Sequence, residues 1–155
     1  MDSEKVILLA DKSEEDQINR NMVIWANTFP DLPDDLAGII AINYEYLVAD
    51  APCMALSTIQ SANILQRYIL GGYKAEFQFK LIYRVKPGAS PDKRLKADEL
   101  LDSFGDWAKT ERPYIGDNMR VLKIEATTRS SLFAVYENGD EDHQILMKMT
   151  YEVNV

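Results

Sequence analysis

The sequence predicts an α+β fold, an antiparallel β-sheet with two main helices packed on it. Three observations carry this expectation. Residues 73–85 alternate apolar and polar side chains with a period of two, over a length that no helix would show. Two other segments, opening at Ser13 and Ser90, repeat apolar residues at offsets of three and four. The elements also follow the order helix, strands, helix, three strands, without the regular strand–helix alternation of a parallel sheet.

The elements are taken in order. Residues 6–9 read equally as a short strand or an extra helical turn. Ser13-Glu14-Glu15-Asp16 is a helix start, with Ser13 as N-cap and an acid three residues later. Ile18, Met22, Trp25 and Ala26 give that helix its apolar stripe, and the prolines at 30 and 33 end it. Ile42, Tyr44, Tyr46 and Val48 alternate with polar residues until Asp50-Ala51-Pro52 breaks the run. Residues 54–59 and 64–70 read as two further strands. Gly71-Gly72 then marks a hairpin, because paired glycines permit positive φ.

In the next strand Tyr73, Ala75, Phe77, Phe79, Leu81, Tyr83 and Val85 share one face. Lys74, Glu76, Gln78, Lys80, Arg84 and Lys86 take the other, with Ile82 the exception. One packed face and one wet or partner-facing face is the antiparallel pattern. A turn at residues 86–89 leads to the second helix, with Ser90 as N-cap and Pro91 in its first turn. Ala97, Leu100, Leu101, Phe104, Trp107 and Ala108 form its stripe, and Gly105 inside it suggests a close neighbour. Residues 112–118 are a loop, 120–126 and 131–137 are strands, and 138–142 make a polar turn. The last strand, from residue 143 to 155, puts Ile145, Met147, Met149, Tyr151, Val153 and Val155 on one face.

The chain has 155 residues, 46% hydrophobic and 27% charged, which suits one globular domain. Acids outnumber bases 25 to 17, for a net charge of −8, a balance that disfavours nucleic-acid binding and favours solubility before assembly. No run is long and apolar enough to span a bilayer. Met1 is followed by Asp2, Ser3 and Glu4, so no signal peptide is expected. Cys53 is the single cysteine, which rules out an intrachain disulfide and fits a reducing cytoplasm.

Chemistry-bearing motifs are sparse. Cys53 and His143, the one histidine, are the sole thiol–imidazole combination the composition allows, and neither sits in a nucleophile motif. Cys53 is expected to be a buried inert thiol and His143 a surface histidine beside an acidic hairpin. One Cys and one His cannot furnish the usual zinc ligand set. Asp140, Glu141 and Asp142 lack the ligand spacing of a calcium loop and are expected at a solvated hairpin tip, and Asp31, Asp34 and Asp35 fare no better. Gly71-Gly72 lies between strands and is too short to cradle a phosphate. Carboxylate pairs are plentiful in so acidic a chain and leave general acid–base chemistry open, but nothing singles out one pair, so no catalytic residue is named and no cofactor is expected. The mixed charges on the outer strand faces read either as cross-strand pairs on a wet face or as a contact surface for identical neighbours.

The run Gln66-Arg67-Tyr68-Ile69-Leu70-Gly71-Gly72-Tyr73-Lys74-Ala75-Glu76-Phe77-Gln78-Phe79 resembles the central hairpin of a family of phage minor capsid and tail-completion proteins. The helix carrying Phe104 and Trp107, with Pro113 after it, is similar too. So is the closing block of Ile124-Glu125, Glu137-Asn138-Gly139-Asp140-Glu141-Asp142 and Met149-Thr150-Tyr151-Glu152-Val153. The resemblance covers residues 64–155.

It implies a small α+β structural subunit like the tail terminators, which form a ring, typically a hexamer, on the last ring of the tail tube. The implied partners are further copies of the chain, the tail tube protein and neck or connector proteins, with DNA only as cargo and no membrane. The implied place is the virion tail or neck, after assembly in the cytoplasm of the host bacterium. A head–tail connector subunit is the near alternative, and a small cytoplasmic enzyme or ligand-binding domain the alternative of a different class. Two guesses at contact sites follow. An acidic hairpin of Asn138, Asp140, Glu141 and Asp142 is expected to face the channel, and loops with Lys86, Gly88, Tyr114 and Asp117 to make assembly contacts.

Overall fold

A computed structural model describes residues 8–35 and 38–154. In chain order it contains β1 (Leu8–Leu9), α1 (Lys12–Ala26), β2 (Asp34–Asp35), β3 (Gly38–Ile39), β4 (Ile42–Tyr44), β5 (Cys53–Arg67) and β6 (Tyr73–Val85). It continues with α2 (Pro91–Thr110), β7 (Met119–Ala126), β8 (Ser131–Val135) and β9 (Glu141–Val153). Seven strands form one sheet along the path β1-β5-β6-β9-β7, with β4 added to β5 and β8 added to β9. Strands β2 and β3 make a separate hairpin. The fold is α+β, as the sequence predicts. No helix among the described residues is long and apolar enough to cross a membrane.

The sheet is not purely antiparallel, because β4 runs parallel to β5 (Ile42 opposite Met54). Its other pairings are antiparallel. β4 is also shorter than the alternation from Ile42 to Val48 suggests. It stops at Tyr44, Glu45 has φ +54, and Tyr46 and Val48 are exposed. Residues 54–59 and 64–70 are not two strands but parts of one, β5, whose pairing with β6 shifts between Thr58 and Gln60, Gln60 and Asn63, and Ile64 and Gln66. Each irregularity disturbs the side-chain parity, which hides a continuous strand behind a broken pattern. Residues 6, 7 and 155 lie outside the described residues, and Leu8–Leu9 pairs as a strand with Asn63 and Ile64.

Both helices lie on one face of the sheet. The odd-numbered residues of β6 from Ala75 to Leu81 and of β9 from Ile145 to Tyr151 are buried beneath them. An aromatic cluster joins the helices. Trp25 stacks on Trp107 at 5.0 Å, and Phe104 meets both Trp25 and Phe29 edge-on at 5.6 and 5.5 Å. Trp25 Nε1 also donates to Glu111 O at 2.6 Å. Gly105 makes this fit possible, since a Cβ there would stand 2.9 Å from Ile145 Cδ1. The opposite face of β6 and β9 is half-exposed and carries cross-strand pairs such as Lys148–Glu76 at 3.7 Å and Arg120–Glu152 at 2.5 Å.

The helix starts differ. Ser90 caps α2 as expected, its Oγ accepting from Lys93 N at 3.3 Å with Pro91 in the first turn. Ser13 does not cap α1. The helix begins two residues earlier with Asp11 at the N-cap, and the Ser13 hydroxyl donates to Asp11 Oδ2 at 3.0 Å. α1 ends at Ala26, where Asn27 docks on the start of β4: its Nδ2 donates to Ile42 O at 3.0 Å and its Oδ1 accepts from Ile42 N at 2.8 Å.

Candidate functional site

The densest polar chemistry lies where β6, β9 and the first turns of α2 meet. Strand β9 places successive side chains on opposite faces, so Glu141 and His143 continue the helix-facing row of Ile145 and Met147, whereas Asp142 points to the other face. All are buried: Asp140 is 1% exposed, Glu141 3%, Asp142 1% and His143 1%. The expectations of a solvated acidic tip and a surface histidine are therefore both corrected. The reason is a set of cations brought in by distant elements, because a charge leaves water only when paired. Asn138 and Gly139 alone of this turn stay exposed. The basis for a channel-facing acidic hairpin is gone with the exposed carboxylates.

On the outer face Arg84 grips Asp142 with two bonds, Nε to Oδ1 at 2.7 Å and an outer guanidinium nitrogen to Oδ2 at 2.9 Å. The Tyr136 hydroxyl donates to the same Oδ2 at 2.7 Å, and the Arg84 guanidinium lies 4.7 Å from the Tyr136 ring centre. Arg84 also donates to Val48 O at 2.7 Å, which ties the 45–50 segment to the sheet. The hydrogen bond to Asp142 pushes Arg84 and Tyr136 up from their ordinary pKa values, so both stay protonated. Asp140 accepts from Asn138 Nδ2 at 3.0 Å and lies 3.7 Å from Lys86 Nζ.

On the helix face Arg94 donates to both oxygens of Glu141 at 2.8–2.9 Å and to Gly88 O at 2.8 Å. Hydrogen bonds from Arg94 hold the Glu141 carboxyl below the usual range, helped by the charges of Arg94 and His143 and opposed by burial. His143 Nδ1 lies 2.8 Å from Asp98 Oδ1, which also accepts from Ser130 Oγ at 2.8 Å. His143 Nε2 is buried without a hydrogen-bond partner, 3.8 Å from Glu141 Oε1.

Serine, histidine and aspartate thus meet here, but not as a nucleophilic relay. A relay needs the imidazole between hydroxyl and carboxylate. Here Asp98 stands between the other two. Cys53 forms no hydrogen bond with His143. Its thiol is buried, as expected, contacts Val48 O at 3.7 Å, and is pushed up by burial. No group of three or more Cys, His, Asp or Glu among the described residues is placed to hold a metal ion. The cluster fastens α2, the 45–50 segment and β8 to the end of the sheet.

The two loops expected to make assembly contacts lie at opposite ends of α2. Lys86 and Gly88 are exposed at its N-terminal end. Tyr114 and Asp117 are exposed at the other, with the Tyr114 hydroxyl donating to Asp117 Oδ1 at 2.5 Å. The second loop is anchored from below, since Ile115 is buried and its carbonyl accepts from Asn21 Nδ2 at 3.0 Å.

Three surface features escaped the sequence reading. Ile69 and Leu70, at the tip of the β5–β6 hairpin, are 102% and 98% exposed. Leu132, Phe133, Val135 and Tyr136, on and just after β8, are between 41% and 66% exposed. A cleft of about 320 Å³ opens between the last residues of β6 and the start of α2, with Pro33, Tyr83, Val85, Pro87, Ala97 and Leu100 in its lining. Lys86, Lys93 and Lys96 line it as well. The hairpin itself is legible from Gly71-Gly72, and the Ile69-Leu70 pair directly before these glycines is the signal for an apolar tip.

No protein-family model matches the sequence, and no curated protein matches it.

Proposed function

We propose that this protein is a non-enzymatic structural subunit of a tailed phage, prophage or phage-tail-like particle, a ring-forming tail terminator at the head-proximal end of the tail tube. The resemblance of residues 64–155 to tail-completion proteins motivates the reading. The observation that carries it is the apolar surface at two separate places, the Ile69–Leu70 tip and the β8 edge, on a chain of net charge −8. Large exposed side chains gathered in this way mark contact surfaces. Two distinct surfaces on one subunit suit a head-to-tail ring, in which each copy meets two neighbours through different patches. The partners of the proposal are other copies of the chain, the tail tube protein and a neck or connector protein.

The test is electron microscopy of particles that carry a gold-labelled tag after residue 155. Label at the junction of tail tube and neck supports a terminator. Label inside the neck, above that junction, assigns the subunit to a head–tail connector instead. Particles of normal composition without any label contradict a virion role.

A further inference from the structure

The tip and the cleft are complementary and stand at opposite ends of one strand. Gly72 precedes Tyr73, the first residue of β6, and the cleft begins at Tyr83 and Val85, the last turn of its alternation. Twelve residue steps of extended strand span about 40 Å. The tip of one chain is therefore too far away to fill its own cleft, and the tip of a second copy is free to do so.

Charged residues surround both features. At the foot of the tip Glu14 accepts from the Tyr73 hydroxyl, with Asp11 at the N-cap of α1 and Lys12 and Glu15 in its first turn. Arg67 is also at this end, lying over the Tyr73 ring at 5.9 Å. The cleft end carries three lysines. Lys96 is paired with an exposed acid, Asp92 at 3.2 Å, and Lys86 with Asp140 at 3.7 Å, whereas no ion pair engages Lys93 among the described residues. An apolar knob with acids and bases at its foot and an apolar hole lined with lysines thus stand at opposite ends of the subunit.

We propose that the Ile69–Leu70 tip of one subunit inserts into the lysine-rimmed cleft of the next, giving the head-to-tail contact that builds the assembly. The inference rests on the assembly reading above and names its surfaces. A contact of this kind is heterologous, so it closes into a ring or grows into a filament according to the rotation between copies.

Two variants test it, both with exposed substitutions. The first is Ile69→Ser with Leu70→Ser, which removes the knob. The second is Lys93→Glu with Lys96→Glu, which reverses the rim. Circular dichroism melts confirm that both fold. Native mass spectrometry over a concentration series then reads assembly. The first variant is expected to weaken association by roughly a hundredfold or more, since burial of each large apolar side chain is worth about tenfold or more.

The decisive step is mixing. Each variant keeps the half that the other has lost, so the mixture forms one-to-one dimers and stops there. Wild-type assembly matched by the tip variant, or a mixture that stays monomeric while wild type assembles, overturns the tip-in-cleft contact and leaves the assembly reading standing. Wild-type protein that is monomeric throughout overturns both.

Discussion

Replacing Arg84 by Met tests the buried polar cluster most sharply. Arg84 and Asp142 are directly opposite in the β6–β9 ladder, with the aspartate side chain 1% exposed and the arginine 13%. Met keeps the apolar stem of the side chain and removes the guanidinium. Asp142 then loses the bonds of 2.7 and 2.9 Å and keeps one partner, the Tyr136 hydroxyl. Val48 O loses its donor as well. Removing one member of a buried pair costs about 3–5 kcal/mol, because the other charge is left stranded. At about 2–4 °C per kcal/mol for a chain of this size, the melting temperature falls by roughly 6–20 °C. Urea unfolding followed by circular dichroism measures the loss. The double variant Arg84→Met, Asp142→Leu removes the stranded charge and should recover at least half of it. A single variant within about 1 kcal/mol of wild type, or a double variant no better than the single, refutes the reasoning.

Three other predictions follow from the same geometry. The folded pKa of Glu141 is depressed, so its contribution is present above the unfolded carboxylate value and lost as pH falls through the folded one. Stability should drop on acidification below about 4.3, and less steeply in Arg94→Gln, as read by urea midpoints across pH. Burial, reinforced by Glu14, pushes the hydroxyls of Tyr73 and Tyr151 up, so the stability they contribute is present below about 10 and declines above it. Tyrosinate absorbance should show these two hydroxyls among those that ionise late. Glu14→Ala, which removes the acceptor of the buried Tyr151 hydroxyl, should cost about 1–3 kcal/mol. Gly72 has φ +80, and a Cβ there would collide with the backbone oxygen of Val153. Gly72→Ala should therefore destabilise by about 2–5 kcal/mol in the same unfolding assay.

The parts of the fold visible in the sequence are those set by local pattern. The alternation of β6 is regular because its ladder with β9 runs without a shift from Tyr73 to Val85. Ser90-Pro91 marks a helix start because cap and first-turn chemistry are local. What escaped depends on partners remote in the chain. The direction of β4 is set by its place beside β5, and nothing within Ile42–Tyr44 encodes it. Burial of Asp142 and Glu141 depends on Arg84 and Arg94, 58 and 47 residues away. A signal was nonetheless present. Stepping back by two from Ile145 places His143 and then Glu141 on the core face, so the strand's own period pointed inward. The composition of the turn, rich in Asn, Gly and Asp, argued for water and outweighed that period.

Assembly is the centre of this account, and its most direct test is light-scattering mass at rising protein concentration, with negative-stain images of the highest fractions. The account predicts discrete species well above the 17.7 kDa subunit and closed rings in the images, roughly six copies each. A single monomer mass at every concentration, with no rings, contradicts it.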